Sequence, residues 1–76
     1  MNIVGPRVRQ ARRNANLTQA DLAARLQLRG LRIDRAGVAK IEGGMRQVSD
    51  IELKAIADAL GVRAAWLLDD QGDAQP

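Results

Sequence analysis

The 76-residue chain contains no cysteine, histidine, tyrosine or phenylalanine, and Trp66 is its sole aromatic residue. Without cysteine there is no disulfide framework and no thiolate metal site. Without histidine the commonest general base and the commonest metal ligand are missing. Hydroxyl side chains are scarce too. Only Thr18 and Ser49 carry one, and no histidine, cysteine or tyrosine is present to activate either. The carboxylates are scattered, with no clustering that suits a hard cation. The expectation is a protein that is not an enzyme and holds no metal or cofactor. A lone aromatic also argues against binding single strands, which relies on stacking platforms. No apolar run approaches the roughly 20 residues that span a bilayer, and no signal-peptide pattern opens the chain. No membrane partner is expected, and the cytoplasm is the expected location.

Acidic residues are scarce in one half only. Met1 to Arg46 holds ten basic side chains against Asp21, Asp34 and Glu42, a balance of +7. Gln47 to Pro76 holds Lys54 and Arg63 against six acids, a balance of −4. A basic half beside an acidic half suggests a polyanion on one side. Ten of the twelve cations are arginine, whose planar fork suits phosphate and guanine better than a point charge does.

A chain of this length makes one small domain, with residues 1–68 as its body and 69–76 as a flexible acidic tail. The pattern divides into five helical segments with no convincing strand. Gly5-Pro6 opens the first helix, with Pro6 suited to the first helical position. Val8 and Ala11 face inward, Arg7, Arg9 and Arg13 outward, and Asn14-Ala-Asn16 ends it. Thr18-Gln-Ala-Asp21 is an N-terminal capping signal, and Leu22, Ala23 and Leu26 form the buried stripe of the second helix. Gln27 to Ile33 reads as a connector, with Gly30 at its bend. Asp34 caps the third helix, Val38 and Ile41 are its buried positions, and Gly43-Gly44 stops it. Ser49-Asp-Ile-Glu52 caps the fourth, whose Leu53, Ile56, Ala57 and Leu60 keep amphipathic spacing. Gly61 ends it, and a last turn from Arg63 to Leu68 brings Trp66 and Leu67 to the core.

Leu17-Thr-Gln-Ala-Asp-Leu-Ala23, Val38-Ala-Lys-Ile-Glu-Gly-Gly44 and Ile56-Ala-Asp-Ala-Leu-Gly-Val62 resemble, in order, the motifs of the lambda-repressor and Cro-type (XRE) helix-turn-helix family. Val62-Arg-Ala-Ala-Trp-Leu-Leu68 is similar to the end of small phage repressor domains. The resemblance runs from Gly5 to Leu68. It implies an all-α, five-helix fold in which helices two and three form the helix-turn-helix, and sequence-specific binding to double-stranded DNA.

The resemblance also implies roles for particular residues. Gln19, at the start of helix two, matches a position that contacts the DNA backbone. Asp34, Arg35, Ala36, Gly37 and Lys40 lie on the first turns of helix three, the part that enters the major groove in this family. Arg35 and Lys40 can donate to guanine N7 and O6, and Ala36 can meet a thymine methyl. Gly37 costs about 1 kcal/mol relative to alanine inside a helix. Either the backbone approaches DNA there or the position is simply tolerated. Arg46 resembles the family's phosphate-contacting basic residue. Arg12 and Glu42 match a pair that orients helix three against helix one, a structural ion pair.

One segment departs from the pattern. The family passes between these helices in a tight turn of the Leu-Gly-Val-Ser type, whereas Gln27 to Asp34 is about five residues longer. Arg29 and Arg32 either reach a neighbouring phosphate or decorate a longer surface loop. The expected function is a small transcriptional regulator, a repressor bound as a homodimer to a palindromic operator. The alternative is a protein-interaction module of the same fold, an antitoxin or adaptor, with DNA binding secondary or absent. A regulatory protein partner is compatible with either.

Overall fold

The computed structural model describes residues 3–69. Five helices follow one another: α1 (Val4–Asn14), α2 (Gln19–Leu28), α3 (Arg35–Glu42), α4 (Asp50–Leu60) and α5 (Ala64–Leu67). No strand occurs among the described residues. Three of the starts are chemically marked. The Thr18 hydroxyl accepts from the Asp21 amide at 3.0 Å while the Asp21 carboxylate accepts from the Thr18 amide at 2.9 Å. Ser49 and Glu52 repeat this reciprocal box at the start of α4. The Asp34 carboxylate accepts from the Gly37 amide at 2.8 Å. Each device satisfies amide groups that a helix leaves without partners.

The ends share one device. Asn16, Gly30, Gly44 and Gly61 take positive φ. The residue after each donates its amide back into the last helical turn: Leu17 to Arg12, Leu31 to Leu26, Met45 to Lys40 and Val62 to Ala57. This is the Schellman closure. Its occurrence at Gly30 corrects the expected connector. Gln27 and Leu28 belong to α2, so much of the added length is an extra helical stretch and its cap. Only Arg29 to Asp34 separates the two helices.

The apolar faces meet as the spacing requires. Val8, Leu22, Leu26, Val38, Ile41, Ile56, Trp66 and Leu67 are each less than 2% exposed, which makes them one core drawn from all five helices. Ile33 joins them from the connector. On α4, Ala59 is buried and Leu53 only partly so, a small rotation of the expected stripe. Arg25 draws α4 toward α2 by donating to the Ala59 carbonyl at 3.0 Å.

Two features at the start of the chain differ from expectation. First, α1 begins at Val4, and Pro6 stands third in the helix, still within the turn that needs no amide hydrogen. Second, Arg7 is buried. Its guanidinium carbon lies 4.5 Å from the centre of the Trp66 ring, and its Nε donates to the Asp69 carbonyl at 2.9 Å. An aromatic face and a carbonyl together can hold a cation out of water, and here they staple α1 to α5. Asp69, placed by the sequence pattern in the tail, supplies that acceptor. The rest of the expected tail lies outside the described residues.

Gly5 sets how closely α1 approaches α3. A methyl group at that position would stand 2.5 Å from the Ile41 carbonyl oxygen and 2.7 Å from that of Glu42. Both obstacles are backbone, so relief requires moving a helix. Gly5→Ala should cost about 1–3 kcal/mol, the usual range for overpacking. In a domain of this size each kcal/mol is about 4–8 °C of melting temperature. A thermal melt followed by circular dichroism checks this, and an unchanged midpoint would contradict the close approach.

Candidate nucleic-acid interface

The third helix ends on a carboxylate that is fully enclosed. The Glu42 side chain is 0% exposed, so its charge must be met from within. Arg12 of α1 answers it with two prongs, Nε to Oε2 at 2.6 Å and Nη2 to Oε1 at 3.0 Å. Gln19, at the first position of α2, donates Nε2 to Oε1 at 3.2 Å. Arg9 donates Nε to the same oxygen at 3.3 Å. Burial by itself would push the Glu42 carboxyl up. The hydrogen bonds from Arg12, Gln19 and Arg9, with the charge of Arg12, outweigh it and hold the group below the ordinary carboxylate value. The hydrogen bond to Glu42 likewise raises Arg12, against the opposing effect of its burial. Arg12 uses its remaining nitrogen on the Leu17 carbonyl at 2.8 Å. One buried carboxylate thus joins α1, the start of α2 and the end of α3.

This clamp presents the opposite side of α3 to solvent. Val38, Ile41 and Glu42 face inward, and Arg35, Ala36 and Lys40 are exposed. The exposed Asp34 has its carboxylate engaged at the helix start. The Arg35 and Lys40 side chains form no hydrogen bond or ion pair among the described residues. The outer face of α3 is therefore cationic, with its one exposed acid tied to backbone. Gly37 proves to be packed from inside. An added methyl would lie 3.0 Å from Ile33 Cγ2 and 3.3 Å from the capping oxygen of Asp34. The connector crowds this position, a reason independent of any ligand.

The connector is itself anchored. Ile33 is 3% exposed, and Gln27 donates to its carbonyl at 3.3 Å. Arg29 and Arg32 are exposed. An open groove of about 550 Å³ is lined by Gln27, Gly30, Leu31, Arg32 and Asp34. Arg46, in the segment between α3 and α4, is gripped by Glu52 at 2.8 and 3.4 Å. That hydrogen bond, with the Ser49 amide and the charge of Arg46, keeps the Glu52 carboxyl below its usual range.

The fold thus gathers Arg12, Gln19 and Glu42 at one point, leaves Arg35, Ala36 and Lys40 exposed on α3 with Asp34 at its cap, and turns Gly37 toward Ile33. Arg29 and Arg32 lie just before that helix, and Arg46 is fixed beyond its end. The sequence pattern missed two participants. Glu52 was assigned only to its cap, although a capping carboxylate has a second oxygen to offer. Helical spacing places Arg9 outward, and nothing in it marks a contact with a residue 33 positions away.

The direction of the Glu42 shift fixes a pH dependence. A carboxyl whose folded value is depressed contributes stability above its unfolded value, and that contribution is lost as pH falls through the folded one. Wild-type stability should therefore decline from near the ordinary value of 4.5 downward. Glu42→Gln should lower stability at pH 7 by about 3–5 kcal/mol, because Arg12 loses its charge partner. It should also flatten the acid limb. Urea melts at pH 7, 5, 4 and 3 measure both, and parallel pH profiles for the two proteins would refute the assignment.

Among the described residues no helix is long and apolar enough to cross a membrane. No curated protein and no solved structure matches the chain. The family model described as helix-turn-helix matches residues 8–67. That span takes in the clamp, the connector and the cationic face of α3. The chain therefore belongs to the lambda-repressor and Cro-type (XRE) helix-turn-helix family of DNA-binding transcription regulators.

Proposed function

We propose that the protein is a repressor that binds a palindromic operator as a homodimer and reads it with the outer face of α3. The observation that carries this reading is the separation of charge on that helix. Glu42 is enclosed and Asp34 is tied to a cap, while Arg35 and Lys40 stand exposed without partners among the described residues. That leaves the donors of Arg35 and Lys40 open to base edges, with the Asp34 charge set against the helix N-terminus. Ala36 lies between them as a small contact for a thymine methyl.

Phosphate contacts position such a helix. Gln19 turns one amide hydrogen to Glu42 and keeps a second for a phosphate beside the α2 N-terminus. Arg46, held by Glu52, and the exposed Arg29 and Arg32 extend the backbone contacts beyond either end of α3. Repression fits a domain that acts by occupying a promoter. A protein-interaction role for the same fold is the competing reading, and Leu28, 87% exposed at the end of α2, is the observation in its favour.

Arg35→Ala and Lys40→Ala should each reduce preference for the operator over unrelated duplex by about 1–3 kcal/mol. Arg46→Ala should weaken all duplexes alike and flatten the salt dependence. Fluorescence anisotropy titrations at several salt concentrations separate the two behaviours. A sequence-selective loss for Arg46→Ala, or a uniform one for Arg35→Ala, would reverse the assignments. The absence of binding to any duplex would favour the protein-interaction reading.

Selection from a random duplex library should return a two-fold symmetric motif with half-sites about 34 Å apart, one turn of DNA. Sedimentation of the complex should give two chains per duplex. A single asymmetric half-site with one chain bound would overturn the dimer.

A further inference from the structure

We infer that the outer face of α1 is a second contact with the DNA backbone, made by Arg9 and Arg13, which widens the footprint beyond the helix-turn-helix. The inference rests on the duplex-DNA reading above and adds to it a place on the molecule. α1 carries four arginines and not one acid along Val4–Asn14. Two of them are wholly committed to the fold: Arg7 lies against Trp66 and Arg12 in the Glu42 clamp. Arg9 commits only its Nε to Glu42, and the Arg13 side chain has no hydrogen-bond or ion-pair partner among the described residues. They stand at i and i+4, a spacing at which like charges destabilise a helix. Position 13 at least complements the negative end of the α1 dipole. Arg9, in mid-helix, is offset only through its Nε contact with Glu42.

The geometry joins these two arginines to the proposed phosphate site. Arg9 and Gln19 donate to the same Glu42 oxygen, at 3.3 and 3.2 Å. Their donor groups are therefore neighbours across a single atom, and a strand that reaches Gln19 passes Arg9. Glu42 takes only the Nε of Arg9, whose side chain remains 44% exposed. The terminal nitrogens have no partner among the described residues. From Arg9 an open groove of about 300 Å³ runs along the helix, lined by Pro6, Arg9, Gln10, Arg13 and Asn14. Its polar walls are two guanidinium groups and two carboxamides, with no carboxylate. The Arg13 side chain makes no hydrogen bond or ion pair among the described residues. A groove of donors that begins beside one phosphate site suits the next stretch of the same backbone, where arginine forks bind without regard to sequence.

The test uses the full chain and a labelled duplex of mixed sequence, because backbone contacts need no operator. Binding is measured by anisotropy across a range of potassium chloride concentrations. Arg9→Gln and Arg13→Gln should each make the slope of log affinity against log salt shallower by about 0.9, and the double variant by about twice that. A purely structural role would not move this slope. Arg13→Gln removes no side-chain hydrogen bond or ion pair among the described residues, and a circular-dichroism melt of the variant separates a loss of folding from a loss of contact. In wild type, ethylation of phosphates on the flank next to the Gln19 contact should interfere with binding, and in Arg13→Gln that interference should weaken. Slopes equal to wild type in both single variants would overturn the inference while leaving the duplex-DNA reading intact. A wild-type protein that shows no salt-dependent binding to any duplex would overturn that reading itself.

Discussion

The structure depends on one enclosed carboxylate. Glu42 ends α3, and a buried ion that loses its partner is strongly destabilising. Two arginines and a glutamine, brought from two other helices, meet it. The arrangement uses what is otherwise a cost to fix an orientation. Apolar packing between Leu22, Leu26, Val38 and Ile41 tolerates small rotations of one helix on another, because dispersion contacts are individually weak and non-directional. A forked guanidinium on a carboxylate does not tolerate them. Gly5 adds a steric limit, since it lets the α1 backbone approach the Ile41 and Glu42 carbonyls. The direction of α3 is thus set at its C-terminal end. Its N-terminal half is left clear of tertiary ion pairs, the condition for offering charged side chains to something else.

The N-terminal end of α3 is fixed by different means. In a tight-turn member of the family the connector has little freedom. Here it is longer, and three devices remove the freedom that length would bring: the Gly30 closure on α2, the burial of Ile33 and the Asp34 cap. The first of these converts part of the extra length into helix. The second places an aliphatic side chain between α2 and α3, where it also presses toward Gly37. Loop insertions cost little free energy when their ends remain anchored, and both ends of this one are.

The legible parts of the sequence were those with local causes. Thr18, Asp34, Ser49, Gly44 and Gly61 act on residues three to five positions away, so their roles follow from spacing alone. The buried stripes of α2 and α3 follow from the helical period. The connector was misread by a few residues because Gln27 and Leu28 carry no stop signal, and the signal at Gly30 works backwards on the turn before it. Arg7 was misread for another reason. Its period and charge place it outside, but Trp66, 59 positions later, offers a ring face and Asp69 a carbonyl. Neither is visible until the chain is closed. The family motifs made the partnership of Arg12 and Glu42 an expectation. The addition of Arg9 and Gln19 to that carboxylate depends on a convergence of three helices that no local pattern encodes.

Because of this convergence, the charge balance of the basic half cannot be used at face value. Arg7 lies against Trp66, Arg12 is matched by Glu42, Arg25 is drawn to the Ala59 carbonyl, and Arg46 is matched by Glu52. Arginines tied in this way keep their charge and its long-range field, but have fewer donors left for a phosphate. In the basic half, the exposed cationic side chains without a hydrogen bond or ion pair among the described residues are those of Arg13, Arg29, Arg32, Arg35 and Lys40, and Arg9 keeps its terminal nitrogens open. They belong to α1, to the connector and to the outer face of α3, three neighbouring segments of the helix-turn-helix half of the chain. A merely solvated surface has no need to sort its arginines between internal partners and open donors. Arginine suits the division, because its charge persists in either setting and its fork serves a carboxylate or a phosphate equally well. The same residue type therefore builds the clamp from inside and supplies the proposed contact face outside, and what decides between the two uses is whether the fold brings an internal partner within reach.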